Sequence, residues 1–485
     1  MKWAGNKAVY SCLLLIFLIV GFTLSGGQKE YGIWSLLPPV VMFVFILCTQ
    51  RVLEGFLWGS TLAVFMKYKT ETLTVYNDKL FAQLTNADNL WLIVVLLLIG
   101  AFISVLDKSG LSQVFGSWVS DKAKTSKSAL LLTYFMPIVL SNDAYLGTST
   151  VGATMTPVND KHRTPRAFSS FIVRSTAVPA NIFNPFSTVA VFITGLLVIN
   201  NYAEEGNGTQ AYIELLPYMF FCGAILLVAL LSVLGIIPKI GPMKKVFQNS
   251  VDGSIEEDTI PPAHQEMAAA IAVEKEDVNK SPHVINFFIP IIALVAATLY
   301  LDGNIQLGAV TSLVISGILL IAQGILKADE YLEAVLSGMK DMFSLAFIMA
   351  IAFVLVDSIT ELGFSQFIID SVSGNVNAKF LPIIIFVIFS ITEFLVTLNF
   401  SLYILAIPVL VPLAANIGAD PNLTIAAIIS AGIWGTTASI TSDIGMLTAY
   451  SSKIELFKHY ITNLPYQFIA WILAALAYLI AGFFG

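Results

Sequence analysis

The chain has 485 residues, 57% of them hydrophobic and 12% charged, with a formal net charge of −7 and a mean hydropathy of +0.82. A water-soluble core of that size would need a far more charged surface, so the composition excludes a soluble globular protein and describes a polytopic membrane protein. It also excludes a nucleic-acid binder, since no basic patch with interleaved aromatic residues occurs and much of the acid sits in one linker.

Lys2 and Lys7 precede an apolar run from Ala8 to about Ser25. That run is too long for a secretory signal core and lacks a small-x-small cleavage site, so it reads as the first span. Further segments able to cross roughly 30 Å of hydrocarbon follow at 33–50, 52–67, 89–106, 167–200, 211–237, 284–301, 306–325, 342–360, 422–452 and 465–484. Two apolar regions, 128–158 and 380–415, each hold two half-length runs around a polar tip, Ser141-Asn142-Asp143 in one and Glu393 to Asn399 in the other. Half-length helices with polar tips read as re-entrant hairpins, tolerated where protein covers them and they line a cavity.

With Lys2 and Lys7 in the cytoplasm and both hairpins returning to their starting side, 19 of the 25 basic residues fall inside and five outside, with Arg174 within the membrane. That orientation puts the N-terminus in the cytoplasm and the C-terminus outside. Gly110-Leu111-Ser112-Gln113 recurs as Gly363-Phe364-Ser365-Gln366, and Gly55 meets Gly308 at the same offset of 253. The interrupted spans 167–200 and 422–452 then match, running in opposite directions, which is the sequence sign of a midplane transport site between two inverted halves. The expected fold is an all-α polytopic membrane protein of about 11 transmembrane helices plus two re-entrant hairpins, with an inverted repeat and two interrupted helices. Its parts are the N-terminal transmembrane helices (1–50), the first inverted repeat (51–238), a cytoplasmic linker (239–283), and the second inverted repeat with the C-terminal helix (284–485). Segments 70–88 and 327–341 hold charges at helical spacing and are expected along the membrane surface.

Asp143 is the leading site candidate. A carboxylate at membrane depth costs on the order of 2.5–3.5 kcal/mol and persists where something pairs with it. A proton and a cation can compete for its oxygens, which is the simplest form of an antiporter. The alternative is a purely structural cap on the following half-helix. Neighbouring Ser141 and Asn142 at the tip, and Asn181 in the interrupted span, could add oxygen ligands. In the second interrupted span Thr436, Thr437 and Ser439 lead to Asp443, offering oxygens that hard cations favour. Back-bonding of the Thr and Ser hydroxyls to their own helices is the alternative there. Arg174 either neutralises a buried acid such as Asp143 or holds a substrate carboxylate bidentately. Glu393 and Asn399, at the second tip, and Asp160 are gating or secondary candidates, Asp160 within a cluster read mainly as a topological anchor. His162, His264, His283 and His459 fall at expected interfaces or in the linker without zinc-type spacing. Cys12, Cys48 and Cys222 lie in apolar segments and imply no disulfide. No nucleophile elbow or phosphate loop suggests an enzyme, and no cofactor or metal is expected beyond a transported ion.

Leu140-Ser141-Asn142-Asp143, Thr156-Pro157-Val158-Asn159-Asp160-Lys161-His162-Arg163, Ser175-Thr176-Ala177-Val178-Pro179, Ser442-Asp443, and His459 through Leu464-Pro465-Tyr466 together resemble the NhaC-type sodium/proton antiporter family. The resemblance covers most of the chain apart from the first span and the linker. It implies secondary transport of cations or small organic ions, with Asp143, Asp160 and Asp443 as functional acids and a homodimer as a common assembly. The family pattern often has an acid where this chain has Arg174, and Gly-Asp where it has Gly435-Thr436. The expectation is therefore a cation/proton antiporter exchanging Na+ for H+ across the plasma membrane by alternating access, embedded in the lipid bilayer. The alternative is a Na+- or H+-coupled carrier of a small organic acid or amino acid.

Overall fold

The computed structural model describes residues 2–24, 26–27, 31–49, 51–200, 202–204, 207–251, 282–301, 304–364, 366–367, 377–395, 397 and 400–484. Most of the linker, and Asn399 and Ser365 with the expectations attached to them, lie outside these residues. Every regular element among the described residues is a helix. After α1 (Lys2–Thr23), α2 (Leu37–Thr49) and α3 (Val52–Tyr68) form a packed pair, followed by α4 (Thr72–Thr85), α5 (Ala87–Lys108) and α6 (Leu111–Ser120). The first hairpin is α7 (Ser126–Val139) and α8 (Ala144–Lys161), and the first interrupted span is α9 (Arg166–Phe183) with α10 (Thr188–Ile199). Then come α11 (Gly208–Leu215), α12 (Phe220–Val233) and α13 (Gly241–Val251).

The second half repeats the plan. A packed pair, α14 (Ile285–Tyr300) and α15 (Ile305–Ala322), leads to the long α16 (Ala328–Glu361). The second hairpin is α17 (Leu381–Leu395) and α18 (Phe400–Ile417), the second interrupted span is α19 (Pro421–Ala438) with α20 (Asp443–Ser451), and α21 (Leu456–Ala481) closes the chain. The hairpin arms and the two parts of the interrupted spans begin 255 or 256 residues apart in the two halves. The glycines that revealed the repeat have one structural job each. Gly110 and Gly363 take φ of 71° and 79° just past the ends of α5 and α16, a left-handed stop that glycine adopts without a Cβ penalty. Gly55 and Gly308 sit where their paired helices touch: a methyl there would fall 2.4 Å from Ile46 Cγ1 and 2.0 Å from Thr298 Oγ1.

The interrupted spans are the centre of the molecule. Every residue of α9 from Ala167 to Ile182 and of α19 from Leu423 to Ala438 is buried. A helix buried on all sides must satisfy its polar groups within the protein. Both arms of each hairpin pack on the interrupted span that follows them, and α12 and α21 lie against both α9 and α19. A second apolar core joins α5, α6 and α14–α16, with Phe115 stacked on Phe287 at 4.5 Å. Large apolar side chains such as Leu14, Leu18, Ile292, Ile318, Ile472 and Ile480 point outward, as lipid-facing positions do.

Among the described residues six helices are long and apolar enough to span a bilayer, or up to eight when each of two bent pairs counts once. Shorter apolar helices such as Gly32–Ile46 and Ile285–Tyr300 fall under that length, so length and apolarity alone do not reach the expected eleven. The run 211–237 is bent by 55° between Tyr218 and Phe220, just after Pro217 removes a backbone donor. One expectation is corrected. Residues 327–341 are not a separate surface helix but the first part of the 34-residue α16. Without a proline, nothing stops its hydrogen-bond ladder, and charges at helical spacing fit a protruding rod as well as a surface helix.

Candidate ion site at the two helix breaks

Ser141-Asn142-Asp143 leaves α7 and starts α8. Asp143 adopts an extended conformation (φ −145°, ψ 134°) and its Oδ1 accepts the Leu146 amide at 2.9 Å, capping α8. The capping alternative is therefore realised, but by one oxygen. The other, Oδ2, accepts the Thr188 hydroxyl at 3.3 Å. The tip is tied to the break between α9 and α10: the Thr188 amide donates to Asn142 O at 3.1 Å, and Asn184 Nδ2 donates to Asn142 Oδ1 at 2.8 Å. Asn181 Nδ2 donates to Ser141 O at 3.0 Å, while Asn181 Oδ1, although buried, has no hydrogen-bond partner. Asp143, Tyr145, Asn181, Thr188 and Thr436 line one cavity of about 100 Å3 together with Met342, Phe400, Tyr403 and Ile433. Carboxylate, hydroxyl and amide oxygens around a small cavity suit a hard cation. The described residues place no basic side chain within ion-pairing distance of Asp143.

The second break has the same frame. Ser187 caps α10 by accepting the Ala190 amide at 3.1 Å, and Ser442 caps α20 by accepting the Gly445 amide at 3.1 Å. The second tip is also tied to its break, by Ser439 Oγ donating to Phe394 O at 2.8 Å and Thr397 meeting Thr441 at 3.2 Å. The carbonyls at the end of α19 point to Arg174, which crosses from the first half. Its Nη2 donates to Thr436 O at 2.9 Å and Ser439 O at 2.8 Å, and its Nη1 lies 3.3 Å from His459 Nε2. A guanidinium only donates, so His459 Nε2 accepts and Nδ1 carries the ring proton toward Ser170 Oγ, 2.9 Å away. Below them Asn463 Nδ2 donates to Thr437 O at 2.9 Å, and Gln467 Nε2 reaches Ser175 Oγ and Asn463 Oδ1 at 3.0 Å each.

The expected site residues thus divide. Ser141, Asn142, Asp143 and Asn181 form one cluster. Thr436 lines the same cavity, but its hydroxyl and that of Thr437 bond back to Gly432 O and Ile433 O. Ser439 Oγ holds the second tip. Asp443 is exposed, with its Oδ2 accepting Tyr145 Oη at 2.5 Å and its Oδ1 the Ile444 amide. Tyr145 lies two residues after Asp143, so one side chain connects the surroundings of both acids. Arg174 pairs with neither Asp143 nor any other carboxylate among the described residues, and it does not line the cavity; its partners are main-chain carbonyls and the His459 ring. Glu393 is fully buried in α17, where a methyl on Gly435 would fall 2.4 Å from its Cβ, and lies outside the cavity lining. Asp160 is paired with Arg166 at 3.0 Å, and Arg166 donates to Lys453 O.

Tyr145 and Thr188 were not among the sequence candidates, and His459 is corrected: it is fully buried rather than interfacial. Its signal was legible. His459, Asn463 and Gln467 lie four residues apart in an apolar helix, a polar stripe on one face.

The arrangement matches known proteins. The structure resembles that of the MtrF transporter of Neisseria gonorrhoeae, described as one of a class of antimetabolite efflux pumps, with a TM-score of 0.57 at 13% identity over 96% of this chain and 97% of that one. It also resembles the YdaH transporter of Alcanivorax borkumensis, described as having an unusual topology, with a TM-score of 0.50 at 13% identity over 86% and 90%. In sequence the chain is 24% identical over 494 residues to an uncharacterised protein of Haemophilus influenzae, covering 93% of this chain and 91% of that one. The fold and its broken, buried central helices define a multi-pass membrane protein of the secondary-transporter class. Residues 181–483 match the model of the Na+/H+ antiporter family, and the chain belongs to that family.

Proposed function

We propose that this transporter exchanges Na+ for H+ by alternating access, with Asp143 as the group that holds either ion. The supporting observation is a buried carboxylate on a cavity, its Oδ2 accepting a long 3.3 Å hydrogen bond from Thr188, with no basic partner among the described residues. The N-terminus of α8 compensates part of its charge. The remainder calls for a proton or a cation, because an unpaired buried charge is strongly unfavourable. Thr188 Oγ1 and Asn181 Oδ1 complete the oxygen set. Tyr145 couples this carboxylate to Asp443 in the other half, and the matched elements act as inverted repeats at 51–238 and 284–485. The N-terminus is cytoplasmic and the C-terminus outside the plasma membrane.

The test is Na+-driven pH change in proteoliposomes. Wild type should move protons against an imposed Na+ gradient. Asp143→Asn, whose amide can neither bind nor release a proton, should not. Exchange that survives this substitution ends the proposal.

One observation favours a second reading. A cavity of about 100 Å3 lined by Met342, Phe400 and Tyr403 is roomier than one ion needs, at roughly 30 Å3 per water. A small organic solute would fit the chemistry of that wall, and one structural relative is described as an antimetabolite efflux pump. Arg174 lies outside that lining, so such a solute would be recognised without it. Uptake screening of amino acids and dicarboxylates in the same vesicles separates the two readings.

A further inference from the structure

We infer that Arg174 is a tethered cation: its guanidinium permanently occupies the ion position of the second helix break, leaving the break beside Asp143 as the one that exchanges. The geometry is that of a cation seat. The last carbonyls of a helix lack intrahelical donors and carry the negative end of its dipole. In broken-helix transporters such C-terminal carbonyls coordinate the coupling ion. Here Thr436 O and Ser439 O converge on a single guanidinium nitrogen at 2.9 and 2.8 Å. Arg174 is fully buried, and its direct partners are two main-chain carbonyls and His459, with no carboxylate within ion-pairing distance among the described residues. Asp443, the acid of this break, turns its oxygens to Tyr145 and to the Ile444 amide instead.

Two further features support the assignment. Space is reserved for the group, because a Cβ on Gly445 would stand 2.4 Å from Arg174 Nη2 and 2.6 Å from its Cζ. The matched position, 255 residues later, is Ile429, which brings no charge to the first break. There the tip carbonyl of Ser141 takes a neutral amide from Asn181, and Asn181 Oδ1 stays open beside Asp143. Among the described residues the first break therefore holds an acid and no fixed cation. The second holds a fixed cation.

The identity of the exchanging ion rests on the function proposed above; the occupancy of the second break does not. The test uses full-length protein in detergent and in liposomes. Millimolar guanidinium should raise the melting temperature of Arg174→Ala and leave wild type unmoved, with choline as the inert control. In liposomes the Na+ dependence of exchange should be non-cooperative in wild type and steepen to a Hill coefficient above one in Arg174→Gln, a change that a purely structural strut would not cause. If Arg174→Ala responds to no cation, or wild type is already cooperative, the inference is overturned. If Arg174→Ala does not fold, Arg174→Lys is compared with the neutral Arg174→Met. A higher melting temperature for Lys supports the inference, and equal values overturn it. Absent Na+/H+ exchange in wild type would remove the proposed function while leaving the guanidinium response as a separate result.

Discussion

Ser187 and Ser442 close the second half-helices of the two breaks with identical 3.1 Å caps, yet the open ends beside them are filled in opposite ways. The first receives a carboxylate, a hydroxyl and an unpartnered amide oxygen around a cavity. The second receives a buried guanidinium on its carbonyls and a neutral His459 behind it. A repeated backbone plan thus does not require repeated chemistry. The frame supplies unwound backbone, and a single side chain decides whether that backbone is filled permanently or left open.

The largest effect expected from breaking this comparison is at the open end. Asp143→Asn removes a charged ligand contributing about 1.5–3 kcal/mol, so cation affinity should fall by roughly tenfold to a hundredfold. Titrating Na+ against the melting temperature of both forms checks it. At the filled end, Gly445→Ala forces a methyl against Arg174. Overpacking of this kind costs about 1–3 kcal/mol, readable as a lower melting temperature that Na+ does not restore. Smaller still are the shared caps. Ser187→Ala and Ser442→Ala should each destabilise by about 1 kcal/mol in denaturant unfolding, and markedly unequal losses would show that the breaks differ in frame as well as filling.

A further effect, seen only at alkaline pH, concerns the end of α9. Lys239, outside the spans, places its ammonium 3.4 Å from the Phe168 ring centroid and 5.0 Å from that of Phe247. Burial pushes it down from 10.5 to about 8. The unfolded chain keeps that proton up to about pH 10.5 while the folded protein releases it near 8, so stability should rise with pH between those values. Lys239→Met should flatten the rise in a pH series of melting temperatures.

Much of this was legible in the chain. Pro, Asn and Ser interruptions inside apolar runs located the breaks and tips, and matched glycines located the repeat, because each marks a backbone constraint that residue type reports. The partners of Arg174 were not legible, since main-chain carbonyls are common to every residue. Nor was the bond from Tyr145 to Asp443, which joins positions 298 residues apart. The hydroxyls of Thr436 and Thr437 looked like ligands, and composition does not reveal whether such groups turn outward or back to their own helix.

The uninterrupted α16 sets the draught of the second half. Thirty-four residues rise about 51 Å, some 20 Å beyond the hydrocarbon layer. Its leading turns carry Asp329, Glu330 and Glu333, which favour water over acyl chains. A rod charged in its leading turns, at Lys340 and Asp341 and again at Asp357 and Glu361, where Lys79 pairs with both acids, and apolar between, resists vertical sliding, and it packs directly on α5 of the other half. Bilayer thickness therefore bears on both halves through one stiff member, and vesicles of longer or shorter lipids should alter turnover without touching any ion ligand.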